Sequence, residues 1–273
     1  MRLSLPAVTL SLGFALALAA CATTSESGAD AGPCDPNDRL YCTDWGPIIA
    51  GVDAEQRDPD RPAAFRDLDP VRGPASLLAF AQIEEGEKVG DYIMGGGYWT
   101  RILSHVVGPQ GRVYAFQPDE FIGFRPAYGD EQNAAVAGRA NVVALRGPVA
   151  APPFPGQLDT IITVQNLHDL FIGAMPEGTA PKAIAALYAA LKPGGTLLVV
   201  DHSAAEGAGT TAANTLHRID KQAAVAALTA AGFVLEAEEG FYRRPEDPRT
   251  ANVFDPAIRG KTDQFALRFR KPG

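Results

Sequence analysis

The stretch Lys88–Leu103, KVGDYIMGGGYWTRIL, constrains this chain more than any other. An apolar segment runs straight into three consecutive glycines, and a helical pattern begins directly after them. Glycines between a buried strand and a helix let backbone N–H groups and the helix N-terminus come close to a polar or anionic ligand, which side chains would prevent. The expectation is a strand–turn–helix unit carrying a nucleotide-like cofactor site. A tight turn that merely packs helix against strand is the other reading.

From about Ala75 helix and strand signals alternate, as in a doubly wound parallel sheet. Strands are expected at Lys88–Ile93, Arg112–Gln117, Asn141–Gly147, Leu158–Gln165 and Thr196–His202. Helices are expected at Ser76–Ile83, Tyr98–Gly108, around Glu131–Gly138, and at Lys182–Gly195, the last closed by Pro-Gly-Gly. A long helix is expected from about Thr215 to Ala231, placing His217 and Asp220 on one face. Phe233–Phe241 and Asp263–Lys271 then read as strands joined by a loop without a helix, hence an antiparallel pair with the final strand inserted into a parallel sheet.

The first twenty residues carry Arg2, an apolar run and the ending Leu18-Ala19-Ala20-Cys21, the form of a secretory leader rather than a fold element. The ending resembles a bacterial lipobox, which implies lipid attachment to Cys21 and anchoring on the periplasmic side of a membrane. Ala22 after the cysteine favours transport to the outer membrane. Cys34 and Cys42 remain as an even pair, free to form a disulfide in an oxidising compartment. Residues 21–74 read as a tether and extension with Ile48, Ile49 and Phe65 as anchors, and 75–273 as one α/β domain. A net charge of −8 argues against a nucleic-acid partner.

GGGYWTR after strand one, QNLHD after strand four, LKPGG before strand five, LHRID beyond it and FDPAIRGKTD before the last strand occur in this order. With these motifs the chain resembles the class I S-adenosylmethionine-dependent methyltransferases, closest to a family of predicted bacterial methyltransferases. The resemblance implies a Rossmann-like seven-stranded methyltransferase fold, a mostly parallel sheet with an antiparallel last strand and helices on both faces. It also implies S-adenosylmethionine as cofactor and methyl transfer to a small-molecule acceptor.

Carried onto this chain, it places Gly95, Gly96 and Gly97 along the methionine portion of the cofactor, with Tyr98 and Thr100 opening the helix. Asp91 would orient the glycine loop or accept from the ligand's amino group. Gln117 would face the ribose, and Gln165 and Asn166 would also line the cofactor site. The chain departs from the family pattern where Ile93 replaces a glycine and Gln117 replaces an acid, a loss of charge worth ~1 kcal/mol or more in a ribose hydrogen bond. Gly147-Pro148-Val149 replaces the acid near adenine, and Asp119 or Glu120 is either a substitute or a solvated loop charge. These departures leave open a non-catalytic ligand-binding module on the same fold.

Chemistry is expected at the strand ends facing the transferred methyl. His168, near its ordinary pKa, is the candidate proton acceptor, and Asp169 would fix its tautomer or cap the next helix. Asp201, His202 and His217 join them on one sheet edge, while His105 reads as structural. Hydrogen bonding around an acceptor is preferred to a metal set drawn from these groups, because none shows metal-motif spacing on one helix. The Gly240–Asp263 loop reads as a lid with Arg259 or Lys261 binding an acidic group, or equally as a salt-bridged flap.

Overall fold

The computed structural model describes residues 44–273, so the leader, Cys21 and the Cys34/Cys42 pair lie outside the described residues. Three helices come first: α1 Trp45–Arg57, α2 Ala63–Arg72 and α3 Pro74–Phe80. Then follow β1 Lys88–Tyr92, α4 Tyr98–Val106, β2 Arg112–Pro118, α5 Asp119–Phe124, α6 Ala127–Val136, β3 Val142–Gly147 and β4 Leu158–Val164. After a short 3-10 turn at His168–Phe171 come α7 Thr179–Ala190, β5 Leu191–His202, α8 Ala213–Leu216, α9 Lys221–Ala230, β6 Val234–Glu239 and β7 Gln264–Arg270. Among the described residues no helix is long and apolar enough to cross a membrane.

The strands form one seven-stranded sheet in the order β3-β2-β1-β4-β5-β7-β6. β7 lies antiparallel between β5 and β6, with Val199 opposite Leu267, and the other neighbouring pairs are parallel. This is the Rossmann-like arrangement expected above. Central strands read as continuous apolar runs because both of their faces are covered. Ile161 and Ile162 show this directly, for strand alternation sends the first to one core and the second to the other. One core holds Leu187, Leu228 and Phe233 from α7, α9 and the approach to β6. The opposite core holds Ile48, Leu77 and Ile102 from α1, α3 and α4.

Residues 44–74 are thus packed onto the same core. Gly51 allows the close approach of α1, since a Cβ there would meet the Val106 backbone nitrogen at 2.8 Å. Buried Glu55 accepts from Arg101 Nε at 2.6 Å and also faces Arg139, Arg61 and His105. Burial pushes its pKa up, but His105 and the arginines outweigh this and hold it below the usual value. Ile48 is fully buried, whereas Ile49 points outward, and Phe65 sets its ring edge on Tyr98.

Three local expectations change. The long helix breaks at His217–Asp220, so His217 and Asp220 do not share a helix face. His217 ends α8 with φ +52°, Ile219 bridges to Ser203, and Asp220 caps α9 by accepting from Gln222 N. The break serves Arg218, which is wholly buried and forms a two-pronged pair with Asp247 at 2.7 and 3.1 Å. Leu191–Gly195 opens β5 instead of closing a helix, with Leu191 paired to Leu158. The helix expected around Glu131–Gly138 is present as α6 but begins earlier, at Ala127, and the short α5 precedes it across Pro126.

Candidate functional site

The sheet order reverses between β1 and β4, and in open α/β sheets a crevice opens at such a point beyond the carboxyl ends of the strands. Here it is a cavity of about 730 Å³, reached by Gly95 and Gly96 from one side and by His168, Asp169, His202 and His217 from the other. The sequence placed both groups at this edge, and the structure brings them around one space.

The glycines divide the work. Gly95 has φ +56° and open space at its Cβ position, so it presents bare backbone to the cavity. Gly97, at φ +89°, faces away from the cavity, where a Cβ would lie 2.4 Å from Ala135 Cβ. It is needed for packing against α6. Ile93, standing where the family has glycine, nonetheless takes φ +60°. Its carbonyl accepts from Asn166 Nδ2 at 3.0 Å, and the next amide, Met94 N, donates to Phe116 O. The backbone path survives loss of the glycine, at the cost of strain in a β-branched residue.

Asp91 and Thr100 do not reach the cavity. Thr100 Oγ1 donates to Asp91 Oδ2 at 2.6 Å, so Asp91 ties the loop to the first turn of α4, the loop-orienting role of the two expected. Burial pushes the Asp91 carboxyl up to about 6 although the Thr100 hydrogen bonds oppose this. Tyr98 lines the cavity and donates to Asp69 Oδ1 at 2.7 Å. Gln165 and Asn166 line it as well, Gln165 with φ +64° and its amide on Gln264 Oε1.

The histidine cluster differs from expectation in its charges. His168 Nδ1 lies 2.7 Å from Asp201 Oδ1, while Nε2 lies 3.3 Å from Asp169 Oδ1. Burial alone would lower its pKa, but the two carboxylates outweigh burial and push it up to about 10. In the metal-free chain His168 is therefore an imidazolium and not a base near neutrality, and Asp201 rather than Asp169 fixes the ring. His202 is the opposite case. Burial and the His168 charge push it down to about 4, so it is neutral, with Nδ1 2.8 Å from Thr262 Oγ1. Two imidazoles with centroids 6.1 Å apart thus carry different charges, the pattern that separates acid from base in a site. Asp169 also faces His217, whose Nδ1 is 3.8 Å away, and the two histidines hold its pKa low against burial.

Arg72 had no sequence signal, since it precedes the expected domain. Its guanidinium lines the cavity, lies over the Tyr98 ring at 4.4 Å and has no ion-pair partner among the described residues. In the 240–263 loop, Arg243 and Arg249 both pair with Asp263, the flap reading. Arg259 instead lines the cavity beside Phe254, whereas Lys261 does not line it.

Solved structures share this architecture. A methyltransferase from Aquifex aeolicus dependent on S-adenosylmethionine superposes with a TM-score of 0.53 at 20% identity, covering 77% of this chain and 97% of its own. The fold is the Rossmann-like methyltransferase fold. The cyclase SpnF superposes comparably, with a TM-score of 0.51 at 17% identity over 83% of this chain and 92% of its own. At such identities the likeness concerns fold, and a fold alone does not fix chemistry. No protein-family model and no curated protein matches the chain.

The cavity wall carries groups suited to the amino-acid end of the cofactor implied by this fold. Gly95 and Arg72 offer bare backbone and a free cation to an amino-acid carboxylate. Gln117, expected to face the ribose, is wholly buried at the end of β2 and does not line the cavity, yet neither of its amide atoms is hydrogen-bonded. An orphaned buried amide costs roughly 1–3 kcal/mol, and a pair of ribose hydroxyls would satisfy it. Glu120 is tied to the turn after β3, its Oε2 accepting from Val149 N at 2.9 Å, and is not a freely solvated loop charge.

Proposed function

We propose that the protein is an S-adenosylmethionine-dependent methyltransferase acting on a small-molecule acceptor. One observation carries the reading: the Gly95–Gly96 backbone and the His168–Asp169–His202–His217 cluster face each other across a single cavity at the β1/β4 switch point. S-adenosylmethionine would supply an electrophilic methyl group, whose transfer needs alignment more than activation. Gly95, Gly96 and Arg72 would bind its amino-acid end and Gln117 its ribose, with Asp91 and Thr100 holding the loop in shape. His202, neutral and on the cavity wall, has a ring nitrogen open to a hydrogen bond from the acceptor, and its low pKa makes it an orienting group more than a strong base. His168 and Asp201 form the fixed wall beside it, and Arg259 is placed to meet an acidic group on the acceptor.

The leader and Cys21 support an exported enzyme, lipid-anchored at the periplasmic face of a bacterial outer membrane, with Cys34 and Cys42 joined as a disulfide. A ligand-binding module without catalysis is favoured by Gln117 in place of an acid and by its absence from the cavity wall. Calorimetric titration with S-adenosylmethionine and its demethylated product separates the two. The Gly95→Asp variant is the control, since aspartate tolerates a left-handed backbone and the position has room for a side chain. The methyltransferase reading expects binding by the wild type and none by the variant. Absence of heat with either compound supports the altered module.

A further inference from the structure

We propose that His168, Asp169 and His217 form a binding site for a divalent transition-metal ion, with its open coordination positions facing the cavity. His168 Nε2, Asp169 Oδ1 and His217 Nδ1 all lie within 4.8 Å of one another. The two distances to Asp169 Oδ1 are 3.3 and 3.8 Å. Two donors each about 2.1 Å from a metal, at tetrahedral or octahedral angles, sit roughly 3.0–3.4 Å apart. The two Asp169 distances lie within a few tenths of an ångström of that range, and the His168–His217 pair, held within 4.8 Å, closes to it by a rotation of the partly exposed His217 ring.

The surroundings are those of a ligand set and not of a chance cluster. A metal-binding histidine usually donates its other ring nitrogen to a carboxylate, which fixes the ring and raises its basicity. Asp201 is wholly buried and meets His168 Nδ1 at 2.7 Å, leaving Nε2 turned toward Asp169. His217 is delivered by a break in the chain, where its left-handed backbone ends α8, a conformation that histidine adopts more readily than most residues. Val253 N holds Leu216 O at 3.1 Å, and Phe254 sets its ring against the His217 imidazole at 4.9 Å. The 240–263 segment thus braces the third ligand from outside.

Two imidazoles and one carboxylate suit iron(II), cobalt(II) or zinc, and not magnesium or calcium, which prefer all-oxygen shells. All three ligands lie on the cavity wall, so an oxygen or sulfur donor of a small molecule would complete the shell there. His202 is not among the three groups whose ligand atoms lie within 4.8 Å of one another. The proposal does not depend on the methyl donor.

Its test is a titration of the purified, chelator-stripped full chain in detergent with Co²⁺ alone, read by visible absorption and by heat. Saturation at one Co²⁺ per chain with a d–d band of nitrogen–oxygen ligation is expected. His217→Ala should weaken binding by roughly tenfold or more, and Asp201→Asn by roughly 10- to 100-fold. His105→Ala, in the separate Glu55–Asp58–His105 group, should change nothing. Circular dichroism establishes that each variant is folded, and His217 is partly exposed, so its replacement leaves the core intact. No saturable binding by the wild type, binding undiminished in folded His217→Ala, or binding lost in folded His105→Ala would each overturn the proposal. None of these results depends on whether S-adenosylmethionine binds.

Discussion

Asp201 grips His168 twice: one carboxylate oxygen meets the imidazole Nδ1 at 2.7 Å, and the other accepts the His168 backbone N–H at 2.7 Å. The end of β5 thereby sets the position of the turn after β4. The same carboxylate also accepts the His202 backbone N–H, so one buried group organises both histidines.

Removing that carboxylate leaves two backbone donors without an acceptor and a buried imidazolium with only Asp169 beside it. Breaking a buried pair from one side costs about 3–5 kcal/mol. Asp201→Ala should lower unfolding free energy by about that much in urea titrations, and Asp201→Asn by clearly less, because an amide oxygen still accepts. Equal losses in the two variants would mean that the carboxylate is not the organising group.

At Ile93 the usual order of alanine and glycine should invert. Glycine is ordinarily the less stable by roughly 0.5–1 kcal/mol in regular structure. Here both Ile93→Ala and Ile93→Gly lose the same buried side chain, a cost of about 2–5 kcal/mol. Only glycine also relieves the φ of +60°. Thermal melts should therefore show Ile93→Gly above Ile93→Ala, and the reverse order would contradict the strained backbone.

Gln117→Leu should act in opposite directions on stability and binding. It removes two buried unpartnered polar atoms, so the ligand-free protein should gain about 1–3 kcal/mol. The same change removes the proposed ribose partner, so S-adenosylmethionine affinity should fall. Differential scanning calorimetry and isothermal titration read the two effects separately. A variant that loses stability would mean that the amide already has a partner within the fold.

Glu87 gives a pH dependence distant from the cavity. Burial, together with repulsion from Asp159, pushes its carboxyl up to about 7 from an ordinary value of 4.5. The folded state then binds the proton more tightly than the unfolded state. Its contribution is fully present below about pH 4.5 and is lost as pH rises through about 7. Glu87→Gln should flatten that decline in unfolding free energy between pH 4.5 and 8. An unchanged slope would remove Glu87 as its source.

Much of this was legible in the sequence because periodicity and glycine carry local information. The Lys88–Leu103 unit and the strand pair without a helix were sufficient for the sheet and its inserted last strand. The histidine edge was legible as a grouping, because residues after parallel strands share one end of a sheet. Its charges were not, since whether His168 or His202 carries the proton depends on Asp201 and Thr262 standing beside particular ring nitrogens. The break at His217 was hidden by a helical pattern that a buried Arg218–Asp247 pair overrides. Arg72 lay outside the expected domain, and only the packing of α1 and α2 onto the core brings it to the cavity.

The most direct test of the central claim is the electron density of crystals grown with S-adenosylhomocysteine. The account predicts the ligand in the β1/β4 cavity, its amino-acid end on Gly95 and Arg72, its ribose hydroxyls on the Gln117 amide and its sulfur toward the His168–His202 wall. Density elsewhere on the molecule, or in the cavity with Gln117 still unpartnered, would contradict it.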